Sequence, residues 1–381
     1  MSGPVAILGA GGFVGARMLE MRVLGGRPDV RPVVRAFRNV ARNSDLGVPH
    51  RLGDASRIES LTAAFAGCEA VVNLTMGEAG EILRNTETIH AACVARGVRL
   101  LVHLSSAVVY GQVERPGIPD DAPPDLGHWM PYAREKGRAE EFLRSRLDGP
   151  VQVVVLRPGL VWGPKSPWVW EPAAALRAGR AYLVGDGRGL CNLIYVDNLV
   201  RSIEAAIDRT PAAPGFYHVA DDQAVTWRDY YAALATGLGI DMATVPRVPA
   251  DRYRTTVADR LDAVKASAAY RRLKDRLPEE TRTTLKFWLE RLRGGDRADL
   301  PGGPASPVVT RDIWHLQTTR HPLPTARFKD VFGHQNLDSF ASGMEKSLRW
   351  LAFAGVGEAG AGDEEAAGER LVTANTRAGH R

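Results

Sequence analysis

Apolar residues occur in short uninterrupted runs through the first 106 residues, and each run is followed by apolar residues at helical spacing. An apolar run without polar alternation is typical of a strand that is buried on both faces of a parallel sheet. The segments predicted as strands are residues 5–8, 30–34, 70–74 and 100–104, together with residues 51–54, which end in a carboxylate. Five alternations of strand and helix predict an α/β fold, namely a Rossmann-type doubly wound parallel sheet.

A glycine-rich turn joins the first predicted strand to the first predicted helix. Its glycines are Gly9, Gly12 and Gly15, in the spacing Gly-x-x-Gly-x-x-Gly. Glycines let the backbone turn tightly and approach a pyrophosphate, which then rests on the N-terminus of the helix. Because the turn directly follows a buried strand, we predict a dinucleotide site here, against the alternative of a flexible glycine loop.

Arg35 follows the second predicted strand, 20 residues after Gly15. An acidic residue at this place would hold the ribose 2′-hydroxyl of NAD, whereas an arginine suits the 2′-phosphate of NADP. The next acidic residue along the chain is Asp45. The predicted cofactor is therefore NADP or NAD, with NADP slightly favoured. The alternative for Arg35 is a solvated basic loop.

Several residues suited to ligand binding stand at the ends of predicted strands or just beyond them. They are Gly9, Arg35, Asp54, Thr75 and Ser106. The carboxyl ends of parallel strands meet at one edge of the sheet, and ligands of such sheets bind at that edge. The sequence therefore predicts that these residues belong to one site.

Tyr132 and Lys136 lie four residues apart in a helix predicted from Tyr132 to about residue 146. That spacing places both side chains on one face. A phenol has an ordinary pKa near 10, and a neighbouring ammonium group lowers it. The pair therefore predicts a tyrosine that exchanges a proton with a secondary hydroxyl. Taken alone, the spacing also fits an exposed helical turn.

The later residues complete the predicted domain organisation. Residues 1–165, with contributions from 190–225, form the nucleotide-binding domain, and residues 166–355 form a smaller, mostly helical C-terminal substrate-binding region. This region includes a charged helical insert at 251–300, interpreted either as solvated helix faces or as a basic lid or subunit contact near an anionic substrate. Residues 356–381 lack periodicity and are predicted to be disordered.

Composition limits the classes of protein to which the chain can belong. No apolar run is long enough to span a membrane, no signal-peptide pattern opens the chain, and a net charge of +5 gives no argument for nucleic acid. Three scattered cysteines indicate neither a disulfide framework nor a metal site, and they favour a cytoplasmic location.

Further motifs stand in order at residues 104–111, 156–158, 161–164 and 194–198. With the glycine turn, Asp54, Asn85 and the Tyr132–Lys136 pair, they resemble the extended short-chain dehydrogenase/reductase family, the NAD-dependent epimerase/dehydratase group. The resemblance covers roughly residues 4–240 and implies a homodimer.

The resemblance also implies roles for individual residues. Tyr132 would be the acid–base residue, and Lys136 would hold the nicotinamide ribose and lower the pKa of that tyrosine. Ser106 would hydrogen-bond the reacting oxygen, and Asn85 would support the site. The residues implied to line the cofactor are Gly9, Gly12, Phe13, Val14, Gly15, Arg35, Asp54, Ala55, Leu74, Thr75, Lys136, Pro158 and Val161.

Two departures from the family pattern narrow the implied chemistry. Ala107 and Val108 stand where the nucleotide-sugar dehydratases carry an Asp-Glu pair, so 4,6-dehydration is not expected. Cys191 stands where many epimerases have an arginine for the substrate diphosphate. Arg188, Arg320 or the basic insert could supply the missing charge.

Three functions remain open from the sequence. The first is an NAD(P)-dependent oxidoreductase or epimerase that acts by hydride transfer on a secondary hydroxyl or ketone of a nucleotide-sugar. The second is an NADPH-dependent reductase or dehydrogenase of a hydrophobic small molecule, similar to the hydroxysteroid dehydrogenases. The third is a non-catalytic NADP-binding protein, which the presence of all the expected catalytic residue types disfavours. An apolar pocket for the second function would be lined by Trp129, Trp162, Trp168 and Trp170.

Overall fold

The computed structural model describes residues 3–40, 43–111, 116–209, 211–250, 253 and 309–356. The predictions of a charged helical insert at 251–300 and of a disordered tail at 356–381 lie outside the described residues, except at Tyr253 and Val356. Among the helices described, none combines the length and the apolar character needed to cross a membrane.

Strands and helices are interspersed along the described chain, which ends in three helices. The strands are β1 (Val5–Leu8), β2 (Val30–Val34), β3 (Arg51–Leu52), β4 (Ala70–Asn73), β5 (Leu100–Leu104), β6 (Gln152–Pro158), β7 (Leu160–Trp162), β8 (Leu183–Val184), β9 (Leu193–Tyr195), β10 (Gly215–Val219) and β11 (Arg247–Val248). The helices are α1 (Phe13–Leu24), α2 (Ile58–Ala64), α3 (Ile82–Ala95), α4 (Pro131–Arg144), α5 (Pro167–Arg177), α6 (Val196–Asp208), α7 (Trp227–Gly237), α8 (Arg311–Gln317), α9 (Ala326–Phe332) and α10 (Phe340–Phe353).

A sheet of seven parallel strands forms the centre of the fold, in the order β3-β2-β1-β4-β5-β6-β10. The strand order reverses at β1 and β4, whose register pairs Val5 with Ala70 and Leu8 with Asn73. In open sheets of this kind, ligands bind outside the carboxyl ends of the strands at this reversal. The predicted fold class is confirmed.

Alternate residues of each strand face opposite layers of helices. Val5 and Ile7 pack in one apolar cluster with residues of α1 and α6, whereas Ala6 and Leu8 pack in another with residues of α2, α3 and α4. All four side chains are buried. Burial on both faces explains why the strands appear in the sequence as uninterrupted apolar runs.

A third apolar cluster holds the later residues together around Trp162, which is fully buried. Its ring packs against Tyr195, Tyr230 and Phe340, with centroid distances of 5.3, 6.0 and 5.4 Å. Helix α10 can approach this cluster because Gly343 has no side chain. A Cβ there would lie 2.8 Å from both the Trp162 and Tyr195 rings.

Two polar residues lie inside the first turns of their helices. Asp197 follows Val196, the first residue of α6, and pairs with Arg17 across the α1–α6 interface, 2.6 Å from the arginine Nε. Asn85 lies in the first turn of α3, which begins at Ile82.

Candidate active site

The glycine turn between β1 and α1 is closed by close backbone approaches. Gly9 has a φ of +91°, which favours glycine, and a Cβ on Gly15 would lie 2.2 Å from the Gly9 carbonyl oxygen. A Cβ on Gly12 would meet only that oxygen, at 3.2 Å. Gly9 and Gly15 are therefore required by the fold itself, whereas Gly12 presents an open side at the N-terminus of α1. This cradle fits a pyrophosphate.

Arg35 and Asp54 lie near each other at the ends of β2 and β3. The Asp54 carboxylate accepts hydrogen bonds from the Ser56 N–H and hydroxyl at 2.9 and 2.7 Å. These bonds lower the pKa of Asp54, and the Arg35 charge contributes in the same direction. Arg35 is exposed, and Ala55 follows Asp54 directly. An exposed cation beside a fixed carboxylate fits the adenosine end of a dinucleotide.

The end of β4 is held by a short polar chain. The Thr75 N–H and hydroxyl both donate to Asn73 Oδ1, at 3.1 and 2.7 Å. The Asn73 amide in turn lies 3.0 Å from His103 Nδ1 on β5. Burial lowers the pKa of His103 well below its ordinary value, so this imidazole is neutral. Leu74 donates its N–H to Leu8, which fixes the strand end beside the glycine turn.

Asn85 is a buried side chain whose amide oxygen has no hydrogen-bond partner in the described part of the chain. A buried acceptor without a partner is costly. Such an atom fits a place where a polar ligand group or its hydration completes the hydrogen bonding. The position agrees with the supporting role that the family resemblance implies for Asn85.

Tyr132 and Lys136 lie one turn apart in α4, with Lys136 Nζ 5.9 Å from the centre of the Tyr132 ring. Lys136 is 2% exposed and donates to the Leu104 carbonyl oxygen at 2.8 Å. Burial lowers the pKa of Lys136 to about 8 and raises the pKa of Tyr132 to about 12. Burial accounts for the raised pKa of Tyr132, and a lowering of this pKa by Lys136 remains a prediction.

Ser106 follows β5 in extended conformation, with φ −162° and ψ 146°. Its hydroxyl oxygen accepts the Val108 N–H at 3.3 Å, which leaves the hydroxyl hydrogen able to donate. Helix α4, which carries Tyr132 and Lys136, packs against the 3₁₀ turn that follows Ser106. The structure thus brings a hydroxyl, a phenol and an ammonium group to one end of the sheet.

Pro158 and Val161, both implied to line the cofactor, lie in two successive strands. Pro158 ends β6, opposite Val219 of β10, and Val161 lies in β7 opposite Ile194 of β9. Pro158 is buried and Val161 is half-buried against two of the apolar clusters. Pro158 therefore shares the carboxyl edge of the sheet with Ser106.

The four tryptophans predicted to line an apolar pocket do not lie around one pocket. Trp162 is fully buried in the core, where its indole N–H donates to Asp221 at 3.2 Å, and Trp170 is 40% exposed. Trp129 lies elsewhere, stacked on His315 of α8 with the Arg311 guanidinium 4.4 Å above its ring. The prediction of one pocket lined by all four tryptophans is therefore wrong.

Two arginines, Arg188 and Arg320, were expected to supply the positive charge that is missing at Cys191. Neither side chain is buried. Cys191 is 2% exposed, whereas the Arg188 side chain is 87% exposed and lies 3.8 Å from Asp186. Arg320 is exposed as well. Among the described residues, neither arginine turns towards the interior, so neither resembles a fixed diphosphate clamp.

A buried ion pair beneath the site was not predicted. Glu140 of α4 and Arg157 of β6 are both fully buried, and the two side chains form a bidentate pair with distances of 2.5 to 3.1 Å. Ser105, next to Ser106, donates its hydroxyl to Glu140. The sequence contains one signal for this group, since Glu140 stands four residues after Lys136 on the same helix face.

Comparison with known proteins identifies a matching family and several relatives. The chain matches the NAD dependent epimerase/dehydratase family over residues 5–220. It is 28% identical over 254 residues to the 2-alkyl-3-oxoalkanoate reductase of Stenotrophomonas maltophilia, covering 62% of this chain and 76% of that protein. It is 27% identical over 338 residues to the dTDP-glucose 4,6-dehydratase of Streptomyces antibioticus, covering 79% and 97%.

Solved structures share the fold over nearly the whole chain. A UDP-glucuronic acid 4-epimerase from Bacillus cereus, in complex with UDP-glucuronic acid and NAD, superposes with a TM-score of 0.64, covering 92% of this chain and 99% of that one. The sequence identity is 14%, so the likeness concerns the fold alone.

Proposed function

The chain belongs to the NAD dependent epimerase/dehydratase family, and on that premise we propose that it catalyses NAD(P)-dependent hydride transfer at a secondary hydroxyl or ketone of a nucleotide-sugar. It is an enzyme of this family, acting as an oxidoreductase or an epimerase. The observation that carries the proposal is the placement of Ser106, Tyr132 and Lys136 at the carboxyl edge of the sheet, the edge that also holds the glycine turn.

The residues that would hold the cofactor follow the edge of the sheet. The backbone of Gly12 and the first turn of α1, with Phe13 and Val14, would receive the pyrophosphate. Arg35 and Asp54 would bind the adenosine end, and Lys136 would bind the nicotinamide ribose. When bound, the nicotinamide supplies or accepts the hydride.

Tyr132 would provide the proton that accompanies the hydride. With its pKa raised to about 12, the phenol is protonated at neutral pH. It is therefore ready to donate its O–H proton to a substrate carbonyl oxygen as that oxygen becomes a hydroxyl. Ser106 would donate a hydrogen bond to the same oxygen.

The Tyr132→Phe variant tests this assignment. We expect it to bind nucleotide as the native protein does, while turnover falls about 10²- to 10⁴-fold, the usual contribution of a positioned general acid. Tyr217→Phe is the matched control, because that hydroxyl donates to the Ala213 carbonyl oxygen, away from α4. Full turnover by Tyr132→Phe would rule out the mechanism.

NADP is the cofactor we propose as preferred, on the evidence of Arg35. The UDP-glucuronic acid 4-epimerase structure that shares this fold holds NAD. The proposed preference of this chain for NADP therefore depends on the Arg35 cation at the end of β2, which suits a 2′-phosphate.

A second candidate is the reduction of a hydrophobic ketone. It is supported by the likeness to a 2-alkyl-3-oxoalkanoate reductase and by the buried Cys191 where a diphosphate clamp would stand. Ala107 and Val108 supply no carboxylate, which argues against elimination of water. Oxidation of NADPH with a 2-alkyl-3-oxoalkanoate, without interconversion of UDP-sugars, would select this candidate over the first.

We also propose the domain organisation and setting given by the sequence. The nucleotide-binding domain would comprise residues 1–165 with contributions from 190–225, and residues 166–355 would bind the substrate. The described cysteines are free thiols, which fits a cytoplasmic location. The family resemblance favours a homodimer. Size-exclusion chromatography with light scattering tests that assembly.

A further inference from the structure

Two consecutive turns of α4 hold the residues that precede Ser106. Lys136 donates to the carbonyl oxygen of Leu104 at 2.8 Å, and one turn later Glu140 accepts the hydroxyl of Ser105. Ser105 is also fixed through its backbone, because its N–H donates to the Leu156 carbonyl of β6 at 2.8 Å. The end of β5 therefore cannot move relative to α4 without breaking a contact to Lys136 or Glu140.

Glu140 is itself held in place from β6. Arg157 donates through Nε to both carboxylate oxygens at 3.1 Å and through Nη2 to Oε2 at 2.5 Å. The rest of the guanidinium donates to the carbonyl oxygens of Asp120 and Ala122, at 2.6 and 3.0 Å, and to the Tyr110 hydroxyl. Such a pair is buried at a substantial desolvation cost. Its position between the Ser106 strand and the Tyr132 helix suggests a role beyond packing.

We propose that Glu140 is a positioning residue for the proposed reaction. It fixes Ser106 against Tyr132 through Ser105, and its negative charge, one turn from Lys136, keeps that buried lysine protonated. The proposal rests on the proposed function, because it assumes that Lys136 binds the cofactor.

The charged groups around Lys136 determine how its pKa changes when the Glu140 charge is removed. The titratable groups that face Lys136 in the described structure are Glu140 and Tyr132 on α4 and His103 on β5. Burial lowers the pKa of Lys136 to about 8, and the Glu140 charge opposes this by raising it. His103 stays neutral above pH 6.5, since burial depresses its pKa well below that value. Removing the negative charge therefore moves the loss of the lysine proton to lower pH.

Glu140 has its own set of neighbours. Ser105 of β5 donates to it, Arg157 of β6 pairs with it, and Lys136, Arg144 and Glu141 contribute from α4. Burial raises the pKa of Glu140, whereas the Ser105 hydroxyl and the nearby positive charges lower it. The bidentate contact to Arg157 favours the ionised carboxylate, because each partner stabilises the charged form of the other.

The experiment measures how the affinity for NADH and NADPH depends on pH, by fluorescence titration between about pH 6 and about pH 10. In the native protein we expect affinity to fall as pH rises through the pKa of Lys136. In Glu140→Gln, which keeps an acceptor for Ser105 but removes the charge, we expect this fall to occur about one pH unit lower. Affinity at pH values above both transitions would then be about tenfold weaker.

Two control variants distinguish the effect of the Glu140 charge from the effect of its side-chain shape. Glu140→Asp retains the charge, so its transition should stay near the native pH even if its affinity is reduced. Glu141→Gln removes a neighbouring carboxylate that pairs with Arg144 at the surface, 3.3 Å from its Nε, and its profile should match the native one. Where Glu140→Gln fails to fold, the Glu140→Met, Arg157→Met double variant removes both charges together. A smaller downward shift is then expected, because the loss of the more distant Arg157 cation offsets part of the effect.

The outcomes distinguish this proposal from the proposed function. If the native protein binds neither nucleotide, the proposed function fails and takes this proposal with it. If the native protein binds nucleotide with a transition that the folded Glu140→Gln or double variant leaves unmoved, the positioning role of Glu140 is overturned and the proposed function stands.

Discussion

Replacing Gly15 with alanine tests whether the glycine turn is fixed by the fold or by the ligand. The added Cβ would lie 2.2 Å from the Gly9 carbonyl oxygen and 2.9 Å from the Ala10 Cα. Ordinary contacts between such atoms are about 3.5 Å or longer. The obstructing atoms belong to the backbone of the turn and cannot rotate away, so β1 and α1 must separate.

We expect Gly15→Ala to lower the free energy of unfolding by about 2–3 kcal/mol, towards the upper end of the cost of overpacking. In a chain of this size that corresponds to a melting temperature lower by about 2–4 °C. Gly12→Ala is the matched variant, because its Cβ would meet only one atom, at 3.2 Å, and its φ of −76° suits alanine. Its stability should stay within about 0.5 kcal/mol of the native value.

Gly12→Ala, although as stable as the native protein, should be impaired in nucleotide binding. The Gly12 methyl group would project towards the proposed pyrophosphate position, so Gly12→Ala should lose affinity for NADPH while it melts like the native protein. The measurements are circular-dichroism melting and fluorescence titration with NADPH on both variants. A Gly15→Ala protein as stable as the native one would refute the packing argument, and a Gly12→Ala protein that binds NADPH at full affinity would refute the site.

Two further predictions concern a buried histidine and the cofactor preference. His218 is fully buried and its pKa is lowered to about 4, so below pH 6.5 the unfolded chain takes up a proton that the folded chain does not. Stability should therefore fall as pH drops from 6.5 to 4, and His218→Gln should reduce that fall by about 3 kcal/mol. Urea unfolding at both pH values checks this, and an equal fall in the two proteins would contradict it. Arg35→Ala should weaken NADPH about tenfold and leave NADH unchanged, and equal losses for both nucleotides in fluorescence titration would contradict the role of Arg35 at the 2′-phosphate.

The parallel sheet could be predicted because burial on both faces leaves a direct trace in the sequence. Val5–Leu8 contacts helices on either side, so no polar residue interrupts it. Once the strands are known, the parallel topology brings their carboxyl ends together without further information. That is why Ser106 and Thr75 could be assigned to one edge from the sequence alone.

The interactions that the sequence did not predict depend on partners far along the chain. Asp197, in the first turn of α6, forms an ion pair with Arg17, which lies 180 residues away in the chain. The pKa of Tyr132 rises because neighbouring segments bury its ring, an effect that the four-residue spacing to Lys136 does not reveal. Glu140 finds its partner on a strand, Arg157, and only the packing of α4 on the sheet brings the two together.

The measurement that tests the central claim most directly is the nucleotide affinity of the native protein. Any nucleotide that copurifies is released by denaturation and identified, and the stripped protein is titrated with NADPH and NADH. We expect both to bind, with NADPH the tighter. A nucleotide retained stoichiometrically would favour an epimerase, and free exchange would favour a net reductase or dehydrogenase. Failure to bind either nucleotide would contradict the assignment of the glycine turn and, with it, the proposed function.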